Sequence, residues 1–196
     1  MDRWDRRVKQ DKTVPLLFVT AGICVLTFAG CASVQEMIPI VGERYRVRNE
    51  GYSLLYELTG KEQNVDKILI VKNANAKVSA EIKAIAQMFG QAHDQLDAFA
   101  KQDARLRFRA THLPTLEQTT RDSIESRTTR ELLFSSSHDF ELQLLLTQVQ
   151  ALQYATHLAK ELGSQDDNKN RKTFLDQFSK QCEQHHQTVV QLLSSH

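Results

Sequence analysis

The chain has 196 residues, 41% of them hydrophobic and 25% charged, with a net charge of +1; that is room for one globular domain and a targeting segment. Past residue 30 it carries 20 basic and 21 acidic side chains, a balance that excludes the basic face of a nucleic-acid binder. Three cysteines, Cys24, Cys31 and Cys182, are too few and too scattered for a disulfide framework or a zinc site.

Residues 1–13 are polar and net positive, and the run Val14 to Gly30, VPLLFVTAGICVLTFAG, has no charge. A basic leader, an apolar stretch and small residues at its end make the layout of a secretory signal. The run is short for a membrane span of about 20 residues. It closes on Phe28-Ala29-Gly30-Cys31, which resembles the lipobox of bacterial lipoproteins, although Phe28 stands where Leu is commonest. The resemblance implies cleavage before Cys31, lipidation of its thiol and acylation of its new amine. Two or more chains give a stable anchor where one does not. With Ala32 rather than Asp after the cysteine, the same resemblance implies an outer-membrane anchor facing the periplasm. The competing reading is an uncleaved single-pass helix in the inner membrane.

Residues 31–50 read as a lipidated tether, because Pro39 and Gly42 interrupt a stretch without helical period. Within it Arg44, Arg46 and Arg48 alternate with Tyr45 and Val47, an arrangement able to meet anionic headgroups. A solvated extended segment explains the pattern more simply.

Residues 51–196 read as the folded domain. Past Gly60 it holds two glycines, Gly90 and Gly163, and one proline, Pro114. Strand-rich domains need turn residues every 8–12 positions, so an all-α fold is expected. Segments 52–58 and 64–74 form a first helical pair. A long helix follows to about residue 103, with Val78, Ile82, Ile85, Phe89, Ala92, Leu96 and Phe99 at 3/4 spacing. Gly90 inside it is a candidate for close helix approach. Pro114 and a capping box on Thr115 to Gln118 open a helix over 115–134, with Leu116, Ile124, Leu132 and Leu133 as its core. Ser136 caps the next helix, 138–162. That helix carries two apolar stripes, one through Phe140, Leu144 and Tyr154, the other through Leu145 and Leu152. Gly163 ends it. The last helix, 171–193, places Leu175, Phe178, Cys182, His185, Val189 and Leu192 on one stripe. Short loops between four long helices favour an antiparallel up-down four-helix bundle.

No motif for hydrolysis or phosphate binding occurs: the chain lacks a Gly-x-Ser-x-Gly elbow and a Gly-rich loop. Glu183 and His186 form one Glu-x-x-His, half of what a di-iron bundle uses. With His185 and His93 they make a candidate transition-metal set for iron, copper or zinc, in which His93 approaches the last helix. Polar residues at a bundle seam more often fix register. Arg105, Arg107 and Arg109 make a small basic patch, a further candidate contact for lipid or an anionic partner.

The segments KVSAEIKAIAQMFGQAHDQLDAFA, Leu113-Pro114, HDFELQLLLTQVQAL and FLDQFSKQCEQHHQTVVQLL together resemble a family of secreted ferritin-like four-helix bundles of bacterial envelopes. The resemblance covers about two-thirds of the chain and implies that fold. The family's usual Asp-His pair is replaced by Ala92-His93, and its mid-helix histidine is missing from Gln148 to Gln150, so its metal role does not carry over. The expectation is a lipid-anchored, non-enzymatic envelope bundle without cofactor, whose partners are the membrane and an envelope protein or a second copy. The alternatives are a metal-binding bundle and a single-pass sensor or assembly subunit.

Overall fold

The computed structural model describes residues 33–108 and 113–195, with side chains from residue 42 onward. The expected signal segment, Cys31 and Arg109 lie outside the described residues. Among the described residues there are five α-helices and no strand: α1 (Ser33–Glu62), α2 (Ala76–Gln102), α3 (Thr115–Phe134), α4 (Ser137–Gln165) and α5 (Lys169–Ser194). A short 3-10 helix, Val65–Ile70, sits between α1 and α2. The all-α expectation is met.

The core follows the sequence stripes closely in α2 and α5. Val78, Ile82, Ile85, Phe89, Leu96 and Phe99 are buried, as are Leu175, Phe178, Cys182 and Val189. Phe89 meets Phe178 edge-on at 5.8 Å between centroids, and Phe99 meets Phe174 at 5.5 Å. In α4 the buried line runs through Phe140, Leu144, Leu145, Gln148, Leu152, Ala155, Ala159 and Leu162, while Tyr154 stays 40% exposed.

The main departure is α1. Residues 33–50, expected to be extended, form the first half of a 30-residue helix that runs through Pro39 and Gly42. Its buried stripe is Arg48, Tyr52, Leu55 and Thr59, spaced by four, three and four residues as a packed helix face requires. Leu55 is its sole aliphatic member, so hydrophobic periodicity could not find it. The arginine alternation also changes meaning: at 100° per residue, Arg46 falls on the side opposite Arg44 and Arg48.

α1 packs on α2 and α4, and α5 packs on the same two helices. α3 rests chiefly on α4 and is not the core element expected of 115–134. Leu132 is buried, but Leu116, Ile124 and Leu133 are 80%, 60% and 41% exposed. α1 occupies the core place that the sequence reading gave to 115–134.

The expected Ser136 cap forms, and Asn168 caps α5. The Ser136 side chain accepts from the Asp139 amide, and Asn168 accepts from the Asn170 and Arg171 amides. The Thr115 capping box does not form; Pro114 holds the N-cap position, and no side chain caps it. Gly163 does not end its helix, which continues to Gln165. Close approach falls on α1 rather than on Gly90: a Cβ added at Gly51 would lie 2.6 Å from Leu162 Cδ2, and one at Gly60 3.1 Å from His93 Cε1. At Gly90 the nearest contact would be an ordinary 3.8 Å.

Gly51 therefore lets α1 seat on α4. Gly51→Val is expected to destabilise the fold by about 1–3 kcal/mol through overpacking against the buried Leu162. Urea denaturation checks this, with Leu116→Ala as a control that leaves the midpoint unchanged.

Candidate functional site

The polar stripe of α1 obliges its neighbours to supply partners, and the largest group of them gathers at the α4–α5 turn. Asp166, whose side chain is fully buried, is the centre. Its Oδ1 accepts from the Asn168 amide at 2.7 Å and from Arg171 Nη2 at 2.8 Å. Its Oδ2 accepts from the Tyr52 hydroxyl at 2.6 Å and from Arg171 Nε at 2.7 Å. Arg171 also donates through Nη1 to Asp103 Oδ2 at 3.1 Å. One guanidinium thus joins the end of α2 to the α4–α5 turn, and the Tyr52 hydroxyl adds α1.

Arg48 is the outlying member. It is 5% exposed and lies 4.0 Å from Asp166 and 3.8 Å from Asp167. Its Nε is buried without a partner, and its guanidinium sits 4.6 Å from the Tyr45 ring centroid. Asp166 already uses both oxygens twice, so it has no short contact left for Arg48.

Burial opposes the charge on Asp166, but the hydrogen bonds from Arg171 and Tyr52 outweigh it and hold the carboxyl below its ordinary range. Asp103 is held well below that range, chiefly by Arg105 and further by Arg171. Burial would lower Arg171, yet its bond to Asp166 keeps it raised. Desolvation and Asp166 together push the Tyr52 phenol up. The ionised state is therefore the resting one, with every lone-pair direction of Asp166 occupied. The four bonds to Asp166 fix the relative positions of α1, the α4–α5 turn and α5.

Higher on α1 a second polar set forms. The Thr59 hydroxyl donates to Tyr56 O and lies 3.1 Å from His93 Nδ1. His93 stacks on Tyr56 at 4.1 Å, and Tyr56 stacks on Phe108 at 4.7 Å. Glu62 accepts from Gln148 Nε2 at 3.2 Å, and burial raises its pKa.

The structure does not bring the candidate metal set together. His93 faces α1, not α5. His185 Nδ1 meets Glu81 Oε1 at 2.7 Å across α2 and α5. Glu183 is exposed and reaches Lys160 at 3.4 Å, and His186 is half-buried. Among the described residues no group of three or more His, Cys, Asp or Glu side chains is placed to hold a metal. Cys182 lies buried on its stripe, and burial pushes its thiol up to about 12.

The candidate lipid or anion contacts separate as well. Arg48 is turned inward to the Asp166 cluster. Arg46 pairs with Glu43 and Glu50 on the outer face, and Arg105 pairs with Asp103 at 2.9 Å. Arg44 and Arg107 are exposed. Sequence reasoning missed Tyr52, Asp103, Asp166 and Arg171. The available signal was Asp166-Asp167-Asn168 followed by Arg171, an acidic turn with a basic residue five positions on. Comparison with protein-family models, curated proteins and solved structures gives no match.

Asp166→Asn removes the buried carboxylate from Arg171 and Arg48, leaving them Asp103 and the exposed Asp167 respectively, and is expected to cost about 3 kcal/mol in urea denaturation. The carboxylates give a defined pH response. Asp103 and Asp166 have folded pKa values below their unfolded ones, so their contribution is complete above the ordinary carboxylate range and is lost as pH falls through the folded values. Glu62 has the opposite sign: its raised value makes it a stabilising group only in acid, and stability drops as pH rises through that value. Glu62→Gln is expected to raise stability at pH 7 and to leave it unchanged at pH 4, measured by urea midpoints at both.

Proposed function

We propose that the chain is a lipid-anchored, non-enzymatic helical module of a bacterial envelope, carried on a rigid stalk. The observation that carries this reading is the lipobox-like Phe28-Ala29-Gly30-Cys31 closing an uncharged run, with a long helix described from Ser33 onward. An extended tether would let the body drift. A helix over residues 33 to 47, 15 residues, instead spans about 22 Å. Its described side chains, Gly42 to Val47, are exposed. The cluster of Arg48, Tyr52, Asp166 and Arg171 would then fix stalk to body, so that the lipid anchor sets the body's orientation. No helix among the described residues is long and apolar enough to cross a membrane.

The fold belonging to this reading is an antiparallel four-helix bundle of ferritin-like connectivity, built from α1, α2, α4 and α5 with α3 as the crossover. Residue pairs support it. Gly51 faces Leu162 and Glu62 meets Gln148, so α1 and α4 run in opposite directions. Glu81 meets His185 and Asp103 meets Arg171, which gives the same for α2 and α5. Both α2 and α4 would then point toward the stalk end, and α3 would return the chain between them. Most titratable groups named above serve as partners inside this frame, which suits a module that presents surfaces.

Mass spectrometry of the mature N-terminus tests the anchor. A diacylglyceryl Cys31 is expected; an intact Met1 overturns the lipoprotein reading in favour of a single-pass segment. Cys31→Ser is expected to leave an unprocessed precursor without the lipid mass and to leave the fold of residues 33–195 unchanged.

A further inference from the structure

A buried amide satisfies both of its polar atoms, and a carboxylate drawn into a protein takes a cation or several N–H donors. Where the end of α1 meets α4, neither rule is met. Gln148 is 2% exposed. Its Nε2 donates to Glu62 Oε2 at 3.2 Å, while its Oε1 is buried without a partner. The neighbouring cation is engaged elsewhere: Lys61 Nζ lies 2.7 Å from Glu125 of α3 and 3.2 Å from Glu57 of α1. Three carboxylates, Glu57, Glu62 and Glu125, thus stand near one ammonium. From α4 the group facing Glu62 is the neutral Gln148. From α2 the titratable group facing this end of α1 is His93, set against Thr59 and Gly60. Asp66 and Lys67 follow in the 3-10 helix.

We infer that Glu62 and Gln148 form a proton-operated clasp between α1 and α4. As a carboxylate, Glu62 offers only acceptors, so it answers Gln148 Nε2 and leaves Oε1 unmet. As a carboxylic acid it has an O–H to give. That hydroxyl donates to Gln148 Oε1 while Nε2 keeps its bond to the other carboxyl oxygen. A carboxyl and a carboxamide are planar groups of matching shape, so the two bonds close together. Turning the amide over gives the charged form no equivalent, because the amide oxygen would then face the carboxylate. Protonation also removes a desolvated charge and its repulsion from Glu125. Glu62 is partly exposed, so solvent supplies the proton. Its raised pKa puts the change above the ordinary glutamate range. The closed clasp is therefore the acid form, and it opens as pH rises through the folded value. Beyond it, Ile70 and Val71 at the end of the 3-10 helix are 81% and 66% exposed, and the clasp sets how firmly the segment leading to them is held. The inference goes beyond the anchored-module reading and stands without it, since it uses two side chains of the helical body.

Hydrogen exchange of the full chain in detergent tests the inference at pH 4 and pH 7, read by mass on peptides spanning residues 59–70 and corrected for intrinsic rates. Exchange there is expected to be about fivefold slower at pH 4, the weight of one net hydrogen bond. Glu62→Gln carries the second donor permanently and is expected to exchange slowly at both pH values. It retains His93, so a pH response of undiminished size in this variant belongs to the histidine and overturns the clasp. Gln148→Leu removes the acceptor at similar volume, and the acid gain is expected to vanish. Loss of buried charge alone would leave that gain in place, so its persistence overturns the inference, as does equal exchange of the unmutated chain at both pH values. Infrared difference spectra of the unmutated chain, less those of Glu62→Gln, give a readout that does not depend on the Gln148 variant. The protonated Glu62 carbonyl is expected at the lowered frequency of a hydrogen-bonded acid; a band at the free-acid frequency, or no band, overturns the clasp. N-terminal processing is read separately by mass, so failure of the anchor and failure of the clasp are distinguishable.

Discussion

The buried carboxylate of Asp166 is the constraint around which the fold is arranged. Four hydrogen bonds converge on it, from Tyr52 of α1, Asn168 at the cap of α5 and Arg171 of α5 twice. A buried charge is costly unless paired and hydrogen-bonded, so these elements cannot separate without exposing an unmet ion. Arg171 passes the constraint on to Asp103 at the end of α2. Such clusters contribute less to net stability than their contacts suggest, because desolvation offsets the attraction. Their stronger effect is on arrangement: only one seating of α1 brings Tyr52 to Asp166.

The same logic runs up the whole of α1. Arg48, Tyr52, Thr59 and Glu62 all face neighbours, and each imposes a partner: Asp166 with Asp167, Asp166, His93 and Gln148 respectively. A helix inserted through polar contacts has a defined register, since a slip of one turn would leave several groups unpaired. Gly51 and Gly60 allow the close approach on which those contacts depend. Glu62 is the least comfortable member. Burial raises its pKa, and Gln148 Oε1 beside it lacks a partner.

α3 follows a different rule. It is joined to the body by Lys61–Glu125 and one buried leucine, while its larger apolar groups face away. Polar attachment on the inside and apolar display on the outside mark α3 as an accessory to the core and a feature of the surface.

By itself the sequence determined the helical class, the stripes of α2 and α5, the Ser136 cap and the unpaired, core-facing position of Cys182. These depend on local periodicity or on scarcity of turn residues, which one chain displays directly. Tertiary structure decided the rest. α1 looked like a tether because Pro39, Gly42 and a polar stripe conceal its period, and its helix is held by partners distant in sequence, 34 residues away for Thr59–His93 and 114 for Tyr52–Asp166. The expected cores Leu116, Ile124 and Leu133 turned outward because the side of α3 that carries Glu125 and Leu132 faces the body, Glu125 bonding Lys61 of α1. His93 turned to Thr59 and Tyr56 rather than to the last helix, and Arg48 turned inward rather than to a membrane. In each case the sequence supplied the groups, but which of them would meet depended on how the helices packed.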